Sequence, residues 1–484
     1  MTVQGALFVF CVILWGLVVS GCAVGPNYER PQEATASVPG NFLNTLPISP
    51  APADPEIAWW LEIEAPGFIQ AVEQLRLDNL DLRQATERVL QATERRTVQA
   101  ASDLPTFSLD GSGNRSFVTN DASGERIYSN NFTLGANVSW QLDLFGKIRR
   151  SIESAEANLL ASNADRAALE HTLIAEFARR WIGVAVNTRL LDLAEENVTN
   201  RKELLELTER RYKLGSQSVG LDDIYLAEEN LTSTEAETFS FRRQIADETY
   251  RLNVLLGNAP GHSSATSAEA FPLFVDPPAP PEFIPLDLLD RRPDLQSAEF
   301  RLVAANAEIG VAIADLLPST TLSAGLSLSS PSSSTLFDAD SLIGSIAGSA
   351  LQRIFEGGAL RANIRLQESE ARELALSYEQ TILDALRELE TALQADRKLA
   401  LQAAKNAKSV ESLRAAETIS LRRYQDGLLD LRSLLDTQQR RYRAEQTWLR
   451  SYQDLWNNRI SLYLAAGGPI AGSTQVGEPS NAPL

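Results

Sequence analysis

Cysteine and histidine occur only twice each in the 484 residues. His171 and His262 stand alone, one in a helical stretch and one in a proline-rich stretch, and neither sits in a metal-ligand spacing. Cys11 lies inside the N-terminal apolar run and Cys22 follows it, so once that run is removed no disulfide can form within the chain. Positive charge is short as well. A net charge of −19 offers no basic patch for nucleic acid. No glycine-rich phosphate loop follows a strand-like stretch, and Gly357-Gly358 reads as a strand-to-helix turn. Paired acidic residues such as Glu195-Glu196 and Glu228-Glu229 read as solvated helix faces. These absences predict no catalytic centre, no metal and no cofactor.

A membrane-length apolar run is missing too. Residues 6–19 are apolar apart from one glycine, but as a helix they reach only about 21 Å, against a hydrocarbon core of about 30 Å. A signal peptide over residues 1–21 is the expectation. Val19-Ser20-Gly21-Cys22 resembles a bacterial lipobox, which would make Cys22 the lipidated first residue of the mature chain; the alternative is an ordinary signal peptide with an incidental cysteine. Anchoring by more than one acyl chain is firm, since each buried CH₂ contributes about 0.8 kcal/mol. Residues 22–66 are rich in proline, alanine and serine and read as a tether leading to Trp59-Trp60, taken as packing residues.

Proline and internal glycine are then absent from Gly358 to Tyr424. Apolar residues step through that stretch by threes and fours: Leu360, Ile364, Ala371, Ala375, Tyr378, Ile382, Leu386, Leu389 and Leu393. Such a helix is on the order of 100 Å long, the length of a coiled coil or a spacer rather than of a globular core. A second rod is predicted over residues 147–214. The two belong to one unit written twice, with landmarks about 212 residues apart. Leu104-Pro105-Thr106 answers Leu317-Pro318-Ser319, and Arg211-Tyr212 before Gly215 answers Arg423-Tyr424 before Gly427. The predicted first copy, residues 67–259, holds a helix over 69–102, strands within 106–142, the rod over 147–214 and a return helix over 222–257. The second, residues 293–466, holds a helix over 294–316, strands within 320–353, the rod over 358–425 and a return helix over 431–466. Residues 260–292 read as a proline-rich linker and 467–484 as a tail.

After the proline that stops each first helix, the period changes from 3.6 to 2. Phe132, Leu134, Ala136, Val138, Trp140 and Leu142 alternate with small polar residues, as do Leu322, Ala324, Leu326 and Leu328. One apolar face and one small polar face, at about ten residues a strand, is the pattern of a transmembrane barrel. Four strands cannot close a pore, and open edges in lipid leave backbone groups unsatisfied. The strands therefore predict an oligomer, each subunit adding a third or a half of the wall; a soluble hairpin packed on helices is the alternative.

In this order the motifs resemble the outer-membrane efflux proteins of the TolC/OprM type, over residues 22–468. The pieces are Cys22-Ala23-Val24-Gly25-Pro26-Asn27-Tyr28, Trp59-Trp60, Asn79-Leu80-Asp81-Leu82, Trp140-Gln141-Leu142-Asp143-Leu144-Phe145-Gly146, Leu255-Leu256-Gly257, Arg291-Arg292-Pro293-Asp294-Leu295 and Phe355-Glu356-Gly357-Gly358. The resemblance implies a mainly α fold with a small transmembrane β part: a duplicated long-helix coiled-coil barrel with four strands per chain. It implies a homotrimer closing a twelve-strand β-barrel in the bacterial outer membrane, lipid-anchored and extending into the periplasm. It also implies a periplasmic adapter protein and an inner-membrane transporter of the resistance-nodulation-division class as partners, exporting drugs or toxic compounds. A duct for type I protein secretion and a non-porous coiled-coil lipoprotein scaffold are the rivals.

Both rods turn back at glycine, Gly215 and Gly427, and a helix cap explains each. The resemblance implies that these tips also meet the adapter, through Leu214, Gly215, Ser216, Asp426, Gly427 and Leu428. It likewise implies a periplasmic gate at Asp436, with Ser433 where some relatives carry a second acidic residue and Arg432 beside it. On the residues alone Asp436 is a solvated helix carboxylate; in a trimer three would surround one axis, where like charges favour cations.

Overall fold

The computed structural model describes residues 23–31, 38–39, 43, 59–61, 63, 65–119, 124–216, 219–261, 271–274 and 288–467. The signal-peptide stretch, Cys22, His262 and nearly all of the C-terminal tail lie outside them. A proline in the first turn and apolar residues at i, i+3, i+4 and i+7 (Phe68, Ala71, Val72, Leu75) make Pro66–Asp78 a helix with one buried face, α1. The other elements are α2 (Leu80–Ala101), β1 (Thr106–Thr119), β2 (Arg126–Leu142), α3 (Lys147–Lys213), α4 (Leu221–Leu255), the single turn α5 (Leu288–Arg291), α6 (Pro293–Ala314), β3 (Ser319–Ser330), β4 (Leu342–Leu351), α7 (Ala359–Gln425) and α8 (Leu431–Ala465). The rods α3 and α7 have 67 residues each, and the return helices α4 and α8 have 35 each.

One expectation fails here. The first helix is not continuous over 69–102 but breaks at Asn79, whose backbone is extended. The reason is a cap. The Asn79 Oδ1 accepts the amides of Asp81 and Leu82 at 2.9 and 3.0 Å, which satisfies donors that a helix start leaves open. Its Nδ2 donates to the Leu255 carbonyl at 2.8 Å, closing the end of α4. Arg292 holds the matching place in the second copy, donating to the Ala465 carbonyl at 3.1 Å at the end of α8. It also grips Asp294 at 2.7 Å and Glu388 at 3.0 Å. Burial disfavours the Asp294 carboxylate, but the hydrogen bond and charge of Arg292 outweigh it and hold the carboxyl below its usual range.

The chain divides into two compact units. One contains Arg88–Asn163 and Ser297–Glu379, hence the whole sheet, together with the segment 23–31. Its strands run in the order β1-β2-β3-β4, all antiparallel. The pairing Leu109↔Ala136, Ala136↔Leu326 and Leu326↔Gly344 puts apolar residues of all strands on one face. The opposite face carries Ser108, Asp110, Ser112, Asn137, Ser139, Ser323, Ser327 and Ser345 by the same register.

The other unit contains Glu33–Glu87, Ala164–Gln296 and Gln380–Leu484. Its core is aromatic. Phe68 packs against Phe177 and Trp181 with ring centroids 5.9 and 5.8 Å away, and Trp59 stacks on Tyr463 at 5.5 Å. Both Trp59 and Trp60 are buried, as packing residues should be. The stretch between the copies contributes Phe271, edge-on to Trp456 at 4.9 Å, while the Leu273 carbonyl accepts the Trp456 indole N–H at 3.1 Å.

Candidate functional site: helix tips, gate face and membrane sheet

At the end of α3 the Ser216 amide donates to the Arg211 carbonyl at 3.1 Å and the Gly215 amide to that of Tyr212 at 3.0 Å. At the end of α7, Leu428 donates to Arg423 at 2.8 Å and Gly427 to Tyr424 at 3.0 Å. Both are Schellman caps, and both need the left-handed backbone that Gly215 (φ 75°) and Gly427 (φ 74°) adopt. The caps leave Leu214 and Leu428 pointing into solvent, 86% and 76% exposed. Asp426 caps beside them, its amide donating to the Arg422 carbonyl at 2.9 Å.

The structure brings the two tips together through a residue that the sequence reading passed over. The Arg211 Nη1 donates to the Tyr424 carbonyl at 2.7 Å, and the guanidinium lies 4.9 Å from the Tyr424 ring centroid. The Tyr424 hydroxyl meets the Thr208 hydroxyl at 3.1 Å, above a small core of Leu204, Ala227, Leu431, Leu434 and Leu435. The signal was present, as the Arg-Tyr pair before each tip glycine, but a repeat landmark does not say which arginine crosses to which tyrosine.

Arg432, Ser433 and Asp436, expected at a gate from the resemblance alone, share the exposed face of the first turns of α8, with Leu431, Leu434 and Leu435 buried behind them. Asp436 pairs with Arg440 one turn on, at 2.8 Å, both side chains mostly exposed. Arg432 reaches Asp222 at the start of α4, at 3.2 Å. Ser433 is occupied by the helix cap. Its amide and hydroxyl both donate to the Asp430 carboxylate at 2.8 Å, and the backbone bond first, then the hydroxyl, lowers the Asp430 pKa. His171 is a half-buried helix residue, and the loss of water around it lowers its pKa. Among the described residues no three His, Cys, Asp or Glu side chains group as a metal cage.

The segment after Cys22 is bound rather than loose. The Val24 amide donates to the Phe145 carbonyl at 3.1 Å; Arg150 donates to the Val24 carbonyl and, at 2.7 Å, to Asn27. Glu299 accepts Tyr28 at 3.1 Å and Arg30 at 2.7 and 2.8 Å. Burial, and then the Glu299 carboxylate, push the Tyr28 pKa well up. A Cβ on Gly146 would sit 2.5 Å from the Ala23 Cα, so only glycine lets the segment lie this close.

Glycine-capped helix tips, an exposed polar face at the start of α8 and a sheet with one apolar and one polar face fit a channel component. The profile of the family described as outer membrane efflux protein matches residues 71–258 and 284–468, and the chain belongs to that family. It is an outer-membrane efflux channel, the outer-membrane part of a tripartite efflux pump, and not an enzyme. Nodulation protein T of Rhizobium leguminosarum bv. trifolii is 32% identical over 450 residues, 90% of this chain and 94% of that protein. The pyoverdine export outer membrane protein OpmQ of Pseudomonas putida is 32% identical over 432 residues, 87% of this chain and 90% of the relative. The solved outer-membrane channel OprN superposes with a TM-score of 0.82 at 30% identity, covering 92% of this chain and 99% of that one.

Proposed function

We propose that three copies of this chain close a twelve-strand barrel in the outer membrane and form an exit duct for small toxic compounds or secreted metabolites. The observation that carries this is the sheet: one face apolar, the other hydroxyl- and amide-lined, with β1 and β4 as edges lacking a partner strand among the described residues. Lipid leaves no alternative to closure. Two copies would give eight strands, an interior that side chains fill; twelve leave a water-filled bore. A lumen of serine, threonine and asparagine, with Asp110 as the charged residue, suits a duct that discriminates little. The relative named for pyoverdine export supports small-molecule cargo.

In this reading a lipid on Cys22 anchors the chain beside the docked segment 23–31. The adapter's hairpins meet the tips at Leu214, Gly215, Ser216, Asp426, Gly427 and Leu428. Asp436 narrows the periplasmic mouth, and an inner-membrane transporter of the resistance-nodulation-division class supplies the energy. Reconstitution of the full-length protein in planar bilayers tests the duct. Stepwise currents are expected; an inserted protein that passes none is a scaffold.

A further inference from the structure

We propose that the outer end of the sheet binds the phosphate groups of a diphosphorylated glycolipid, the lipid A headgroup of an outer leaflet, through Arg115 and Arg126. This rests on the reading of the sheet as barrel wall. Phe117 and Tyr128 are register partners on the apolar face, with ring centroids 6.0 Å apart. Residues two apart in a strand share a face, so Arg115 and Arg126 stand on it too. The Arg115 guanidinium carbon lies 4.8 Å from the Tyr128 ring centroid and that of Arg126 lies 5.0 Å from the Phe117 centroid. The two arginines thus bracket the aromatic pair. Neither is paired with a carboxylate among the described residues.

Their depth is set by the strand. Trp140, at the other end of the same face, is twelve residues from Tyr128. Twelve residues span about 41 Å of strand, or about 30 Å of membrane depth at the usual tilt, the separation of the two aromatic girdles of a membrane barrel. Arg126 lies two residues beyond Tyr128, at headgroup level, while Arg115, opposite Asn130, starts two residues inside the aromatic pair and carries its guanidinium outward to the Tyr128 ring. This is the end at the β1–β2 turn, opposite the end where β2 leads into α3, and with the helices in the periplasm it faces the outer leaflet. Stacking on a ring holds a guanidinium plane while leaving its N–H edge free, the geometry that takes a phosphate with two hydrogen bonds. Charge picks the lipid. A zwitterionic phospholipid brings an ammonium that two arginines repel, whereas a diphosphorylated glycolipid brings only anions.

Native mass spectrometry of the full-length protein in mild detergent tests this, with diphosphoryl lipid A, its phosphate-free analogue and phosphatidylethanolamine as probes. Wild type should retain diphosphoryl lipid A at about tenfold lower concentration than either other lipid. The Arg115→Gln/Arg126→Gln variant should lose that margin while still retaining the phosphate-free analogue as wild type does; Arg115→Lys/Arg126→Lys should keep part of it. Equal retention of diphosphoryl lipid A by wild type and the glutamine variant, in preparations that conduct in planar bilayers, overturns this inference alone. A wild-type preparation that inserts and does not conduct overturns the barrel reading, and this inference with it.

Discussion

Asn79 does at one position what a cap and a splice do elsewhere. Its side-chain oxygen starts α2 and its nitrogen ends α4, so a single amide fixes the angle between two helices that are 176 residues apart in sequence. Asn79→Ala removes the cap and leaves the Leu255 carbonyl short of a donor, a loss of roughly 1–3 kcal/mol. The expected result is a lower thermal midpoint by circular dichroism. Asn79→Asp, which keeps the acceptor but not the donor, should recover about half of the loss. An alanine variant melting with wild type would mean that the break in the first helix is set by packing instead. Arg292 achieves the equivalent closure with a charged group and two carboxylates, which is why the two copies diverge at this residue while keeping the same geometry.

At the scale of elements, the long helices were legible because nothing interrupts them: a proline-free, glycine-free run with apolar steps of three and four has one regular solution. The strands were legible because alternation at period 2 begins after each proline. The break at Asn79 was not, since Asn-Leu-Asp-Leu fits a continuing helix as well as a cap, and the deciding partner, Leu255, is remote. The segment 23–31 read as a tether for the same kind of reason. Its proline and glycine suppress any period, and its partners Arg150, Glu299 and Gly310 lie more than a hundred residues away. Even the tip glycines were readable only as caps; the Arg211–Tyr424 bridge between them joins residues 213 apart. The docked segment makes its own prediction. Gly146→Ala pushes a methyl into Ala23, so the Val24 amide, bonded to Phe145, should exchange with solvent about tenfold faster while the aromatic core keeps its protection. Hydrogen exchange read by mass spectrometry checks this. Unchanged exchange at Val24 would show that the segment is held by Arg150 and Glu299 alone.

For the whole molecule the proposed gate is a question of how many charges would share one axis. Within one chain Asp436 is a minor contributor: its bond to Arg440 is exposed on both sides, and such pairs contribute about 0–1 kcal/mol. Threefold closure changes the arithmetic, because three carboxylates would then meet across a narrow mouth, where their combined field at low salt would hold a cation between them that bridges the ring shut against their mutual repulsion. In the proposed trimer Arg432 and Asp222 would lie near the mouth, and their link between α8 and α4 would have to open for the helices to part. Asp436→Ala should therefore shift the open–closed balance of the trimer by 1 kcal/mol or more, about fivefold, raising single-channel conductance and the leak of large antibiotics into cells. The increase should be greatest near 0.1 M salt and fade toward 1 M, where screening shortens the reach of each charge to about 3 Å. Arg432→Ala should raise conductance as well but with less dependence on salt, since it breaks a contact rather than emptying a ring. If Asp436→Ala conducts as wild type does at every salt concentration, the mouth is closed by packing at Leu431, Leu434 and Leu435, and the carboxylate is a solvated surface group.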